Sequence, residues 1–315
     1  MKLSLAFVFP GQGSQSVGML ATLAQAEPVV AETFAEASAS LGYDLWQRVQ
    51  TGPETALNQT ACTQPAMLAA GVAVWRVWQA HNGAQPALLA GHSLGEYTAL
   101  VCAGVLNFAD AVKLVEQRGQ FMQAAVPAGQ GAMAALLGLG DDQVRSVCAA
   151  ASSTDEIVAA ANFNAPGQVV IAGHANAVER AIAAARDAGA KRALPLPVSV
   201  PSHCSLMQPA AAQLANRISQ LALNRPLIPV LHNADVTTHD SAESIARALA
   251  EQLSQPVRWV ETVQQFRAAG VTQVLECGPG KVLAGLVKRI DRELDIFAVH
   301  DPDSLQAALA ALPHA

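Results

Sequence analysis

The sequence predicts an α/β protein with a mostly parallel sheet and a smaller inserted domain. Three observations carry that reading. Short runs rich in Val, Ile and Leu alternate with Ala-rich stretches of helical periodicity. The middle of the chain changes rhythm to β-α-β-β-α-β. The length, 315 residues, is long for one compact core and suits a large domain carrying a small one.

The elements follow in order. Residues 3–9 (LSLAFVF) read as a buried first strand. The run is short and ends in Pro-Gly-Gln-Gly without a small-residue cleavage site, so a signal peptide is the weaker reading. Residues 64–79 read as a helix with Trp75 and Trp78 in the core. Residues 87–90 form a short strand, and 94–103 the helix after it. Asp110 opens a helix that runs to about Ala124. Residues 228–231 and 272–277 are strands, each followed by a turn.

Between these lie strand candidates at 132–137, 157–161, 168–172 and 191–196. Helix candidates stand at 141–151 and 175–188, the second closed by Gly189. This is the ferredoxin-like order. It predicts an inserted small domain over 127–198, with 1–126 and 199–315 forming the large one.

Bulk properties exclude several classes. Hydrophobic residues make up 51% and charged residues 14%, below the usual share of about a quarter, so the chain can bury a large core. Apolar stretches are all broken short of the roughly 18 residues a membrane span needs, and a cytoplasmic location without membrane contact is expected. Net charge is −6, which disfavours nucleic acid as a partner. Cys62, Cys102, Cys148, Cys204 and Cys277 are scattered, with no C-x-x-C spacing, so neither a metal site nor a disulfide framework is expected. Nothing demands an oligomer, and a monomer is expected.

The stretch AGHSLGEY (90–97) contains Gly-x-Ser-x-Gly around Ser93. With a strand before and a helix after, this is the context of a nucleophile elbow, which makes the large domain hydrolase-like. A serine hydroxyl needs a base within hydrogen-bond reach. Of eight histidines, His81, His174, His239 and His314 read as surface residues. His92 should point away from the turn. His232 and His300 follow apolar strands. His203 lies in VPSHCSLM, a Pro-stiffened loop at the domain junction, and stands modestly ahead of His232 on chemistry alone. A hydrolase triad usually adds an acid. No convincing one stands at a strand end between Ser93 and His203: Asp110, Asp141, Asp142, Glu179 and Asp187 all read as helix residues. A backbone carbonyl could orient the imidazole instead. Cys204 lacks an elbow and reads as a bystander.

FPGQGSQ (9–15), TQPA (63–66), GHSLGEY (91–97), RG (118–119), NFNAPGQ (162–168), VPSH (200–203) and GPGKVL (278–283) together resemble the malonyl-CoA:acyl carrier protein transacylases of bacterial fatty-acid synthesis, over almost the whole chain and in the right order. The resemblance implies transfer of a malonyl group from coenzyme A to Ser93, then to the phosphopantetheine thiol of acyl carrier protein. It implies His203 as base, the Gln252 carbonyl as its orienter, and the backbone N–H groups of Gln12 and Leu94 as oxyanion donors. It implies Arg118 on the malonyl carboxylate, with Asn162 and Gln64 lining the site. Malonyl-CoA is a substrate, and no tightly bound cofactor is expected.

An Arg offers a carboxylate a two-pronged match. By position alone, Arg118 in AVKLVEQRGQFM reads as a solvated surface residue pairing with Glu116 or a nearby charge. GPGKVL lacks P-loop spacing and reads as a tight strand-to-helix turn. Carrier proteins of this kind are acidic, so a basic docking patch is expected from Lys191 and Arg192 or from Lys288 and Arg289. The competing activities are the transacylase subunit of malonate decarboxylase, a serine hydrolase or thioesterase, and a non-catalytic binding protein.

Overall fold

The computed structural model describes residues 4–198 and 200–312. Leu3 and His314 lie outside them. Among the described residues the strands are β1 (Ser4–Phe9), β2 (Leu88–Gly91), β3 (Gly131–Leu137), β4 (Val158–Ala165), β5 (Gln168–His174), β6 (Arg192–Pro195), β7 (Val230–Leu231), β8 (Val271–Cys277) and β9 (Asp295–Val299). They form two sheets. The larger has the order β7-β2-β1-β8-β9, with every pair parallel.

Parallel strands are covered on both faces, so both sets of side chains must be apolar. Strand β1 meets this by alternation. Leu5, Phe7 and Phe9 enter one core, while Ala6 and Val8 enter the core on the opposite face. Trp78 is fully buried, and Trp75 packs against the same core. Phe7 meets both edge-on, with ring centroids 5.6 Å and 5.5 Å away.

The smaller sheet is antiparallel, with the order β4-β5-β3-β6. Helices Asp141–Ala151 and Ala175–Asp187 cover one face, where Ala134, Leu136, Val169 and Ile171 are buried. Met133, Val170 and Ala172 turn to the other face, toward Cys204. The register slips between Ala160 and Asn162. Such a bulge adds one residue and re-aims those beside it: Ala161 joins the face turned toward Cys204, and Asn162 lines a cavity.

The element order agrees with the α/β reading, and several boundaries move. The helix expected from residue 64 begins at Thr60 and carries Pro65 inside it. The helix expected from Asp110 begins at Phe108, because the Asn107 side chain accepts from the Ala109 N–H and caps it. Strand β9 was not anticipated. Its sequence, DIFAV, carries four consecutive apolar residues, but as an edge strand of the sheet it buries only Val299.

Candidate active site

Ser93 lies two residues past the end of β2, at the carboxyl end of the parallel sheet, where open α/β sheets hold their ligands. Its φ is +51°, a left-handed value rare for a residue with a side chain. The flanking glycines are steric necessities. A Cβ on Gly91 would lie 1.8 Å from the Gly95 carbonyl carbon, and one on Gly95 would lie 1.9 Å from the Phe9 oxygen. Gly11 meets the same limit, since its Cβ would come within 2.4 Å of the His92 oxygen. The elbow and the FPGQG turn therefore touch backbone to backbone.

That contact brings Gln12 and Leu94 to the wall of one cavity with Ser93. Neither backbone N–H donates to another described residue. Leu94 is the N-cap of helix Gly95–Cys102, where the first N–H groups have no partner inside the helix. Asn233 braces the elbow: its Oδ1 accepts from the Ser93 N–H at 2.7 Å, and its Nδ2 donates to the Gly91 oxygen at 2.6 Å.

The structure brings His203, not His232, to the serine. His203 Nε2 is 2.8 Å from Ser93 Oγ, and its Nδ1 is 2.8 Å from the Gln252 backbone oxygen. Gln252 ends helix Ala242–Gln252, where carbonyls lack helical partners and the helix dipole is negative. The His203 backbone N–H donates to the next carbonyl, Leu253, at 3.0 Å. The ring is buried. Burial first, and the Arg118 cation second, hold its pKa down at about 3, so it is neutral and able to accept a proton at ordinary pH.

His232 is also buried, with Nδ1 2.7 Å from Glu96 Oε1. His92 lines the cavity but turns its Nε2 to Asn164 Oδ1 at 2.8 Å, consistent with an orientation away from the serine. His300 is paired with Asp301 at 3.4 Å. His239 is less exposed than expected: its ring lies tilted against His232, centroids 5.0 Å apart, and its Nε2 is 2.7 Å from Asp235. Cys204 is buried, which pushes its thiol up to about 11 and leaves it a poor nucleophile.

Arg118 is 1% exposed, which removes the alternative of a solvated arginine. Glu116 turns instead to the Tyr43 hydroxyl. Arg118 NH1 donates to Gln64 Oε1 at 2.8 Å, and NH2 donates to Gln252 Oε1 at 2.9 Å and Ser93 Oγ at 3.3 Å. Among the described residues it makes no salt bridge, and its Nε has no hydrogen-bond partner. Gly119 makes the arrangement possible. A Cβ there would lie 2.6 Å from Ala61 Cα, so helix Phe108–Ala125 can pack closely on helix Thr60–Ala80 and set Arg118 beside Gln64.

The cavity, about 360 Å³, is roofed by the smaller sheet through Met133, Ala135, Asn162 and Val170. Val282 stands at its edge, at the start of helix Val282–Ile290. In the GPGKVL turn the buried carboxylate of Glu276 accepts the N–H groups of Leu283 (3.1 Å) and Ala284 (2.7 Å), so a side chain already holds the anion position of that helix. A second cavity lies between the smaller sheet and this helix, lined by Lys191, Arg192 and Arg289. Arg289 NH1 reaches Gln168 Oε1, at the wall of the first cavity, at 2.5 Å. Lys288 does not line it and donates to the Arg292 oxygen at 3.0 Å.

A family profile described as the acyl transferase domain matches residues 6–299. The malonyl CoA-acyl carrier protein transacylase of Escherichia coli O157:H7 is 58% identical over 304 residues, covering 96% of this chain and 98% of that protein. The chain belongs to the acyl transferase family, among its malonyl CoA-acyl carrier protein transacylases.

Solved structures of this transacylase family superpose over nearly all of the chain. An acyl carrier protein S-malonyltransferase from Vibrio cholerae is 60% identical, with a TM-score of 0.94 over 96% of this chain and 99% of that one. A malonyl-transacylase in complex with a type II polyketide acyl-carrier protein is 57% identical, with a TM-score of 0.96 over 98% and 99%. The residues that sequence reasoning missed are Glu96, Asn233 and Asn164. Glu96 left a signal as the one charge in the otherwise uncharged helix Gly95–Cys102, and Asn164 lies within the NFNAPGQ stretch.

Proposed function

We propose that this acyltransferase moves a malonyl group from coenzyme A to the phosphopantetheine thiol of an acyl carrier protein, by way of an ester on Ser93. The observation that carries the reading is Arg118. A guanidinium stays charged at any working pH, and a buried charge needs compensation. Here its partners are amide and hydroxyl oxygens, 2.8–3.3 Å away, beside the Ser93–His203 pair. A substrate carrying its own carboxylate supplies an anion in direct contact, and an arginine fork matches a carboxylate in two contacts.

Ser93 Oγ attacks the thioester carbonyl as His203 Nε2 takes its proton. The tetrahedral oxyanion is met by the backbone N–H groups of Gln12 and Leu94. Carbon–sulfur cleavage releases coenzyme A, whose sulfur takes the proton back from His203. The carrier thiol then gives its proton to His203 and attacks the ester, and Ser93 leaves with that proton. The Gln252 carbonyl keeps the ring in the tautomer this needs. Gln64 steadies Arg118, and Asn162 shapes the acyl pocket.

Lys191, Arg192 and Arg289 suit the anionic part of the donor or carrier, and Lys288 adds positive charge beside them. The roof over 127–198 is a small domain inserted in the large one. The enzyme works in the cytoplasm as a monomer, with no tightly held cofactor.

Intact-protein mass spectrometry tests the proposal. Malonyl-CoA should add one malonyl group to the parent and none to Ser93→Ala, and holo carrier protein should remove it. Release to water at the same rate without the carrier would instead identify a hydrolase.

A further inference from the structure

Behind Gln252 lies a buried carboxylate that the reaction above does not use. Glu96 is fully buried in the first turn of helix Gly95–Cys102. Its Oε1 faces His232 Nδ1 at 2.7 Å. Its Oε2 accepts the Asn233 N–H and the Gln252 Nε2, each at 2.9 Å. His232 Nε2 has no partner among the described residues, so the ring proton belongs on Nδ1, toward the carboxylate.

A side-chain amide has two orientations, distinguished only by what surrounds it. Here the surroundings are unambiguous. A carboxylate only accepts and a guanidinium only donates. Gln252 Nε2 faces Glu96 and the Ser93 backbone oxygen, both acceptors, while Gln252 Oε1 faces Arg118 NH2. With Glu96 gone, one amide proton is left without an acceptor, and the flipped amide points N–H at the guanidinium. Arg118 would then lose one of the two side-chain amide oxygens that hold it.

We infer that Glu96 is a positioning residue for acyl selectivity: together with the Ser93 backbone oxygen it fixes the orientation of the Gln252 amide, and through it the Arg118 guanidinium that meets the substrate carboxylate. It touches neither the substrate nor Ser93 Oγ. The inference rests on the proposed role of Arg118, and the experiment separates the two.

Ser93 acylation is followed by intact mass with malonyl-CoA and with acetyl-CoA, in Arg118→Ala, Glu96→Ala and Glu96→Gln. Glu96→Ala should lower the malonyl-to-acetyl ratio of acylation rates by about tenfold to a hundredfold, the effect of a hydrogen bond to a charged group. Glu96→Gln should restore most of the ratio, because its oxygen can accept from Gln252 while its NH₂ turns to His232, which then takes its other tautomer.

A merely structural Glu96 would lower both rates together and the melting temperature with them. An unchanged ratio in folded Glu96→Ala, or a Gln variant as poor as Ala, overturns the inference. If Glu96→Ala does not fold, Glu96→Asp is measured instead. It keeps the charge but withdraws it by one methylene, and here too an unchanged ratio overturns the inference. If Arg118→Ala itself loses malonyl and acetyl equally, it is the proposed carboxylate clamp that fails, not the role of Glu96 alone.

Discussion

Two buried histidines with opposite surroundings sit on either side of Gln252. His232 has the partner expected of a hydrolase histidine, a carboxylate 2.7 Å from Nδ1, yet its other nitrogen has no partner among the described residues. His203 has only a carbonyl on Nδ1, yet its Nε2 lies 2.8 Å from Ser93 Oγ. The difference teaches that reach to the nucleophile, rather than an acidic partner, marks the base. An acid beside His203 would also put a second anion near the position a substrate carboxylate must take. A carbonyl orients the ring without that full charge.

Exchanging the two histidines for alanine gives the largest contrast. His203→Ala should slow Ser93 acylation by about 10²–10⁴-fold, the usual value of general base help. His232→Ala should slow it far less, and comparable losses in both would break the comparison. Stopped-flow release of coenzyme A measures each.

Next in size is the cation shared by this region. Removing Arg118 leaves a malonyl carboxylate desolvated and unpaired, which costs about 2–5 kcal/mol for a buried charged pair. In Arg118→Ala that loss should appear in kcat/KM for malonyl-CoA and be small for acetyl-CoA.

His232→Ala sharpens the other side. It leaves the buried Glu96 one donor short, which should cost about 1–3 kcal/mol of stability. Thermal melting reads this as a lower Tm, with the malonyl-to-acetyl ratio affected less than in Glu96→Ala.

The smallest effect is on pH dependence. His203 is held at about 3, below its ordinary 6.5. The free enzyme should therefore show no acid limb near pH 6.5 in kcat/KM. Because the folded value is depressed, the histidine takes up protons more readily in the unfolded chain. Its contribution to stability is complete above about 6.5 and is lost as pH falls toward 3. Arg118→Gln removes the second cause of the depression and should move the acid limb upward. A limb already near 6.5 in the parent would contradict the buried, neutral ring.

Much of the site was legible because its causes are local. The glycines around Ser93 are demanded by a turn of a few residues. The broad order of strands followed from apolar periodicity. Strand β9 is a short edge strand, and the amino-terminal helix Pro28–Leu41 has little contrast between its faces, so neither stands out in the sequence. Glu96 was overlooked because a glutamate near a helix start is ordinarily solvated, and nothing nearby in the chain reveals that Asn233 and Gln252 will close over it.

By itself the sequence determined the α/β alternation and the elbow at Ser93, which rest on periodicity, spacing and local sterics, and membership of a family, which rests on resemblance across its motifs. Tertiary structure alone decided which histidine reaches the serine, that Arg118 is buried, and which way the Gln252 amide points. Those outcomes depend on donors and acceptors brought together across 110 residues for Ser93 and His203, and 134 for Arg118 and Gln252. Hydrogen-bond direction and the loss of water are properties of the packed assembly, and no single stretch of chain contains them.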